Sequence, residues 1–298
     1  MRKAFVASVL VAATALALAG CGGGNPPGVD GNLTDNWPAM PAPSVPVPAA
    51  SACYDVDNPA PGQAPLPAPV GCAARHSLET IHVGTFAAAD APPGDGDPAL
   101  RRAYTDCSDS ARRYLGGDWR TARTGLDLVV PTAAQWSGGA RWYRCDAVEF
   151  ADLDSYRVVA REGSLKGGLS GPRPLALGCF NVTAKGQDVG AMAPVDCATA
   201  HNGEFVGVWD APAGPYPADA HQLEQARLDG CRGVIAAYTG VPDDDKVRYR
   251  VGQITYGFGK ADWDLGNRGA RCYLWMENKT FTSSLKGAGP GALPINSG

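Results

Sequence analysis

His76 with Glu79, and His201 with Glu204, are the residues of this chain best suited to chemistry. A histidine three residues before a glutamate, at the entry to a strand, sets imidazole near carboxylate. Such a pair can act as a general base, a metal site or a pH switch. Each histidine also lies four residues after a cysteine (Cys72-x-x-x-His76, Cys197-x-x-x-His201), and cysteine with histidine is a zinc vocabulary. Arg141 and Arg268 can each pin an acidic partner, and Trp136 and Trp263 can each offer a flat face to a sugar. Every one of these has a plainer role. The histidine caps the turn after its cysteine with the glutamate as its structural partner; the arginine closes on its own domain; the tryptophan lids a core. The chain has no phosphate-binding loop. Leu169-Ser170-Gly171 lacks the Gly-x-Ser-x-Gly elbow, and Asp243-Asp244-Asp245 lacks the ligand spacing of a calcium loop.

These residues occur twice because the chain is a tandem repeat. Cys53-Tyr54-Asp55-Val56 and Pro69-Val70-Gly71-Cys72 are answered by Cys179-Phe180-Asn181-Val182 and Pro194-Val195-Asp196-Cys197. Trp136-x-x-Gly139-x-Arg141-x-x-x-Cys145 is answered by Trp263-x-x-Gly266-x-Arg268-x-x-x-Cys272, and Ser164-Leu165-Lys166-Gly167 by Ser284-Leu285-Lys286-Gly287. A duplicated enzyme needs one active site, so a polar pair kept in both halves points to shaping of the module. We therefore expect no catalytic residue, metal or cofactor. His76, Glu79, Arg141, His201, Glu204 and Arg268 remain as possible binding residues.

Of nine cysteines, eight fall four to a repeat, and an even number at repeated spacing in an exported chain reads as a disulfide framework. No Cys-x-x-Cys occurs, which weakens zinc-ribbon and thioredoxin-type readings. Four cysteines allow three connectivities. Cysteines at the open end of a hairpin would pair as Cys53–Cys72 and Cys179–Cys197, leaving Cys107–Cys145 and Cys231–Cys272 to join a helix to the last strand.

The elements that position these residues can be read from periodicity. His76–Phe86 and His201–Trp209 read as strands, the second two residues shorter between its glutamate and glycine. Leu100, Tyr104, Cys107, Ala111 and Tyr114 recur at helical spacing, as do Leu223, Cys231, Ile235 and Tyr238, each series ending two residues before a glycine, Gly116 or Gly240. Leu126–Val130 and Val247–Tyr256 have strand character, and a final strand passes through Cys145 or Cys272 after a Trp-x-x-Gly-x-Arg turn. The expected fold is α+β: two tandem disulfide-stapled modules, each a small, mainly antiparallel sheet with one packed helix.

The N-terminus sets the compartment. Arg2 and Lys3, an apolar run over 4–19, and Leu18-Ala19-Gly20-Cys21 have the layout of an export signal ending in a lipidated cysteine. The expected organisation is a lipoprotein signal peptide over 1–20 and a Gly/Pro-rich tether over 21–52. Repeat 1 spans 53–167, a linker 168–178, repeat 2 179–287, and a flexible tail 288–298. A polyproline-like tether of that length reaches about 95 Å. The formal charge is −4, and basic residues are mixed with acidic ones, which disfavours nucleic acid and anionic lipid. The composition thus fits an extracytoplasmic protein held to the cell membrane by lipid on Cys21.

The ordered set of motifs resembles the septum-formation domain family of actinobacterial envelope proteins, with the likeness covering both repeats. The resemblance implies an extracytoplasmic, membrane-attached protein associated with cell division, with no known reaction or cofactor to carry over. The expected function is a non-catalytic binding module of the cell envelope, its partner another envelope protein or a cell-wall polymer. Two rivals remain: a metal-dependent or acid–base hydrolase of wall material using the His/Glu pairs, and a thiol–disulfide protein.

Overall fold

A computed structural model describes residues 45–295 except 60, 61, 63–65, 173, 186 and 187. Cys21 and the expected signal peptide lie outside the described residues. Ser44–Gly298 forms one compact unit holding both repeats.

The first repeat is a four-stranded antiparallel sheet in the order β1-β2-β4-β3, built from β1 (Ala52–Tyr54), β2 (Leu78–Thr85), β3 (Thr124–Val129) and β4 (Trp142–Glu149). Helix α1 (Pro98–Leu115) covers one face, and a short helix, α2 (Ala133–Ser137), precedes β4. The second repeat adds the hairpin β5 (Cys179–Lys185) and β6 (Asp188–Val195), then β7 (Gly203–Asp210), α3 (Ala220–Thr239) and β8 (Gly252–Gly257). Helix α4 (Lys260–Leu265), β9 (Gly269–Trp275) and α5 (Gly289–Ala292) complete it, giving a five-stranded sheet in the order β6-β5-β7-β9-β8. The α+β class and the helix-on-sheet module are as the sequence implies.

Local chemistry sets the helix ends. Asp97 and Asp219 cap α1 and α3 by accepting from the Ala99 and Gln222 amides. Gly116 and Gly240 end them at φ 81° and 76°, left-handed conformations that glycine adopts without steric cost. The inner faces of α1 and α3 bury Tyr104, Cys107 and Leu115, and Cys231, Ile235 and Ala236. Disulfides run between Cys53 and Cys72, Cys107 and Cys145, Cys179 and Cys197, and Cys231 and Cys272. Each repeat thus carries a staple at the open end of its hairpin and one from helix to last strand.

Several expectations need correcting. The stretch 247–256 is not one strand: Asp245–Tyr249 is a 3₁₀ turn, and pairing begins at Gly252. In the first copy the hairpin is reduced to a bridge between Cys53 and Val70. The Trp-x-x-Gly-x-Arg segments are short helices ending in turns. The second copy is not shortened after its glutamate. Thr80 and Phe205 oppose Asp146 and Tyr273, and a bulge follows in both. Gly207 therefore corresponds to His82, and Gly84 to Trp209. At that bulge Gly207 has φ 149°, and a Cβ there would meet Val234 of α3 at 2.9 Å.

The expected linker and tail are also part of the packing. Leu169 and Leu175 are buried in the first core, and Arg123 and Leu177 exchange backbone hydrogen bonds with Leu175 and Thr121. Leu293, expected in a flexible tail, is 1% exposed and its carbonyl accepts from Arg250. Val45, expected in the tether, packs with Trp142 and Val129.

Register shows where the repeats differ. On the sheet face away from α1, Asp127 lies directly opposite Asp146, which is bonded by Arg144 (2.7 Å) and Thr80 (2.7 Å). The equivalent positions of the second repeat are Ile254, Tyr273 and Phe205, members of an apolar cluster. Burial, then the facing Asp146, pushes the Asp127 carboxyl up to about 6. A carboxyl raised on folding supports the fold while protonated, and that support is lost as pH rises from about 4 through 6. Asp127→Asn is therefore expected to raise the melting temperature at pH 7.5 and to be neutral below pH about 4. Thermal denaturation across that range checks it.

The second sheet packs its outer face on the first repeat. Arg271 donates to the Arg120 carbonyl at 2.7 Å, Tyr256 to Asp154 at 3.2 Å, and Arg120 bridges Asp118 and Asp210. Trp119 meets Phe258 edge-on, 5.6 Å between ring centres.

Candidate functional site

The structure gathers His76 and Glu79 beneath the end of α1. Strand β2 carries Glu79 on its helix-facing side, and a backbone bridge to Arg161 holds His76 at the strand entry. Both are sealed from solvent, at 0% and 1% exposure. The Glu79 carboxylate accepts at Oε1 from the Leu165 amide (2.7 Å) and at Oε2 from Tyr114 (2.8 Å) and Ser164 (2.9 Å). His76 Nδ1 lies 2.7 Å from the Ala74 carbonyl, which bears no proton, so Nδ1 donates. His76 Nε2 lies 2.9 Å from Glu79 Oε1, with one proton between them. Both carboxylate oxygens and both ring nitrogens are thus engaged within the protein.

The second copy repeats the carboxylate's work. Glu204 accepts from Tyr238 (2.6 Å), Ser284 (2.5 Å) and the Leu285 amide (2.8 Å). His201 Nδ1 donates to the Thr199 carbonyl at 2.8 Å, but its Nε2 has no partner among the described residues. In each repeat the serine hydroxyl and the leucine amide among these donors come from the segments that echo each other as Ser-Leu-Lys-Gly. Each glutamate therefore fastens the returning end of its repeat to the helix tyrosine and the central strand. Gly167 and Gly287 complete the closure by donating to the Tyr114 and Tyr238 carbonyls. Burial, with the Ser164 hydroxyl opposing and Glu79 reinforcing, pushes the Tyr114 phenol up to about 12. The Tyr238 phenol is raised by burial and then by its bond to Glu204.

The donor set suits a metal poorly. Cys53 lies within 4.8 Å of the His76 and Glu79 ligand atoms, and Cys179 and Cys197 lie as close to Glu204. All three sulfurs are in disulfides, and a structural zinc site needs free thiolates. That leaves two donors in the first repeat and one in the second, each already hydrogen-bonded.

The arginines and tryptophans turn inward. Arg141 donates to the Trp136 and Ala140 carbonyls (both 2.8 Å) and to Ala89 (3.1 Å), with its guanidinium 4.2 Å from the Trp136 ring centre. Arg268 is half-buried, 6.0 Å from the Trp263 ring centre. The buried indoles of Trp136 and Trp263 donate to the Ala89 and Gly214 carbonyls at 2.9 Å, tying down the loops that contain Asp90-Ala91-Pro92 and Asp210-Ala211-Pro212.

Sequence reasoning passed over two sets of residues. Arg144 and Arg271 immediately precede the last cysteine of each repeat, a signal that was present and unused. His82 has no counterpart in the second repeat because Gly207 stands there, so repetition could not flag it. It lies 2.7 Å from Asp106, which Tyr143 also bonds at 2.5 Å. Despite burial, those bonds hold the Asp106 carboxyl below its usual range. The pair is partly open to solvent, and among the described residues no hydroxyl or thiol bonds the His82 ring.

A family model described as "Septum formation" matches residues 50–272. The chain belongs to this family. The one match runs through both repeats. No curated protein and no solved structure matches the chain. Membership places the protein with septum formation in cell division, and the family is not a known enzyme family.

Proposed function

We propose that this septum-formation protein is a non-catalytic component of the cell envelope. In this reading it is anchored by lipid on Cys21 and presents the two docked repeats to an envelope protein or wall polymer. The observation that carries the reading is the consumption of both Glu79 and Glu204 by internal donors in sealed positions. A general base must reach the proton it removes, and neither carboxylate reaches solvent. Disulfides suit an oxidising compartment. All eight repeat cysteines are paired, so Cys21 has no cysteine partner left among the described residues. That fits a cysteine set aside for modification. The Gly/Pro-rich stretch after it supplies the reach to the wall.

Labelling with an alkyne-bearing palmitate analogue, with fluorescence imaging of the tagged chain, tests the anchor and the location together. The expected result is labelling of the native chain and signal at the division septum, with Cys21→Ala unlabelled and lost from the membrane. An unlabelled native chain, or labelled Cys21→Ala, contradicts the anchor.

A further inference from the structure

The two sheets end differently, and the difference leaves a groove. In repeat 1 the end of the sheet seats the outer face of repeat 2. Asp152, Leu153 and Asp154 meet Phe180, Met192 and Tyr273 there, with a cavity of only about 20 Å³ between them. Asp154 also accepts from the Tyr256 hydroxyl and the Met192 amide. The corresponding end of repeat 2 is an open groove of about 690 Å³, lined by Arg248, Tyr249, Gly252, Trp275, Glu277 and Lys279 among others.

Register fixes the correspondence. Gly125 pairs with Val148 and Gly252 with Trp275, while Leu128 and Thr255 each oppose the last cysteine of their repeat. Ala122, three residues before Gly125, is fully buried and bridges Ala176. Tyr249, three residues before Gly252, is 50% exposed. Asp152 and Lys279 each stand seven residues after that last cysteine, so the charge at the rim is reversed. The return to the histidine bridge also differs. Residues 150–160 lead to Arg161 opposite His76, whereas only 277–280 lead to Phe281 opposite His201. The shorter return has no counterpart of Leu153 and Asp154, and the groove lies open in their place.

We infer that this groove docks a protein partner through an acidic segment that carries an aromatic side chain. The lining selects it. Tyrosine, tryptophan and arginine are the residues that dominate binding energy where proteins meet, and Tyr249, Trp275 and Arg248 line one groove. Tyr249 and the part-exposed Trp275 give aromatic surface on which a partner's ring can pack edge-on or offset. Neither Arg248 nor Lys279 makes an ion pair among the described residues. Arg248 lies 5.1 Å from the Tyr249 ring centre, and Lys279 donates to the Ala292 carbonyl at 3.3 Å. Glu277 is the one carboxylate of the lining, so the groove carries net positive charge in a chain of net charge −4. A carboxylate beside the aromatic contact pairs with these cations; a neutral sugar would leave both unused. A second copy of the chain offers no free sheet face. That of repeat 2 is already docked, and on that of repeat 1 Arg144 and Asp146 are 3% and 2% exposed. The groove rests on this geometry; only the placing of its partner in the envelope rests on the reading above.

The test is selection of displayed random heptapeptides on the full chain in a detergent without sugar headgroups. Parallel selection on Arg248→Ala/Tyr249→Ala subtracts peptides bound elsewhere. Both side chains are exposed, and an unchanged melting temperature confirms that the variant folds. The expected result is a set of peptides kept by the native chain alone, with aspartate or glutamate beside an aromatic residue. Titrated by tryptophan fluorescence, the best of them should bind about tenfold more weakly to Arg248→Ala and to Tyr249→Ala, the loss of about 1.4 kcal/mol each. Its affinity should fall as salt rises, since the charges at this rim are open to solvent. A tetramer of N-acetylglucosamine is the probe for the other class of partner. Its saturable binding, lost in Tyr249→Ala, would assign the groove to glycan and overturn the proposal. No peptide kept by the native chain over the variant, or kept peptides that are basic, would overturn it too. None of these results touches the anchor on Cys21, which the palmitate experiment tests separately.

Discussion

Glu79→Ala is expected to cost the protein about 4 kcal/mol or more, enough to unfold a domain of ordinary stability. The substitution leaves the Tyr114 and Ser164 hydroxyls, the Leu165 amide and the His76 ring facing a cavity instead of a carboxylate. Each stranded buried donor costs on the order of 1–3 kcal/mol, and water entering the space recovers only part of it. Glu79→Gln keeps one acceptor oxygen but turns an N–H₂ group toward donors, so its effect should be intermediate. Glu204→Ala strands three donors, without the histidine, and should cost somewhat less. Urea unfolding under non-reducing conditions checks the order. A Glu79→Ala protein as stable as the native chain would remove the structural role assigned to both glutamates.

Loss of the helix-to-strand disulfides should rank next. Cys107–Cys145 and Cys231–Cys272 close loops with separations of 38 and 41 residues and are fully buried. In the chain-entropy picture each contributes about 4 kcal/mol. Cys53–Cys72 and Cys179–Cys197, at separations of 19 and 18, contribute about 3 kcal/mol. Packing widens the gap. Alanine at Cys107 and Cys145 leaves a void between α1 and β4, whereas Cys72 and Cys197 are part-exposed. Double Cys→Ala variants of each pair, compared by calorimetry, should melt in that order.

Much of this was legible from repetition. The helix spacing of Tyr104, Cys107 and Ala111, the stop at Gly116 and the strand through Cys145 all follow local patterns that the structure keeps. The plain reading of Arg141 also holds, since its donors meet carbonyls of its own repeat. The echo Ser164-Leu165-Lys166-Gly167 was visible, but its tie to Glu79 was not, because 85 residues separate the bonded pair. The Val247–Tyr256 strand failed at its front because Asp244 caps a 3₁₀ turn through the Lys246 amide, and β-branched content does not report capping. Aligning Gly84 with Gly207 failed because the same bulge occurs in both copies, so the strands stay in step from Glu79 and Glu204 and the shared glycine misleads.

In the proposed reading the histidines serve the fold and not a reaction. In His76→Asn and His201→Asn the side-chain amide N–H can take over the ring Nδ1 bond to the Ala74 or Thr199 carbonyl. His82→Ala removes a partly exposed imidazole paired with a carboxylate. The deciding measurement is septum placement and cell length in cells whose sole copy carries all three changes, with the amount of folded protein matched to native. Normal division is the expected result. A division defect at full protein level would contradict it and assign the imidazoles a chemical role.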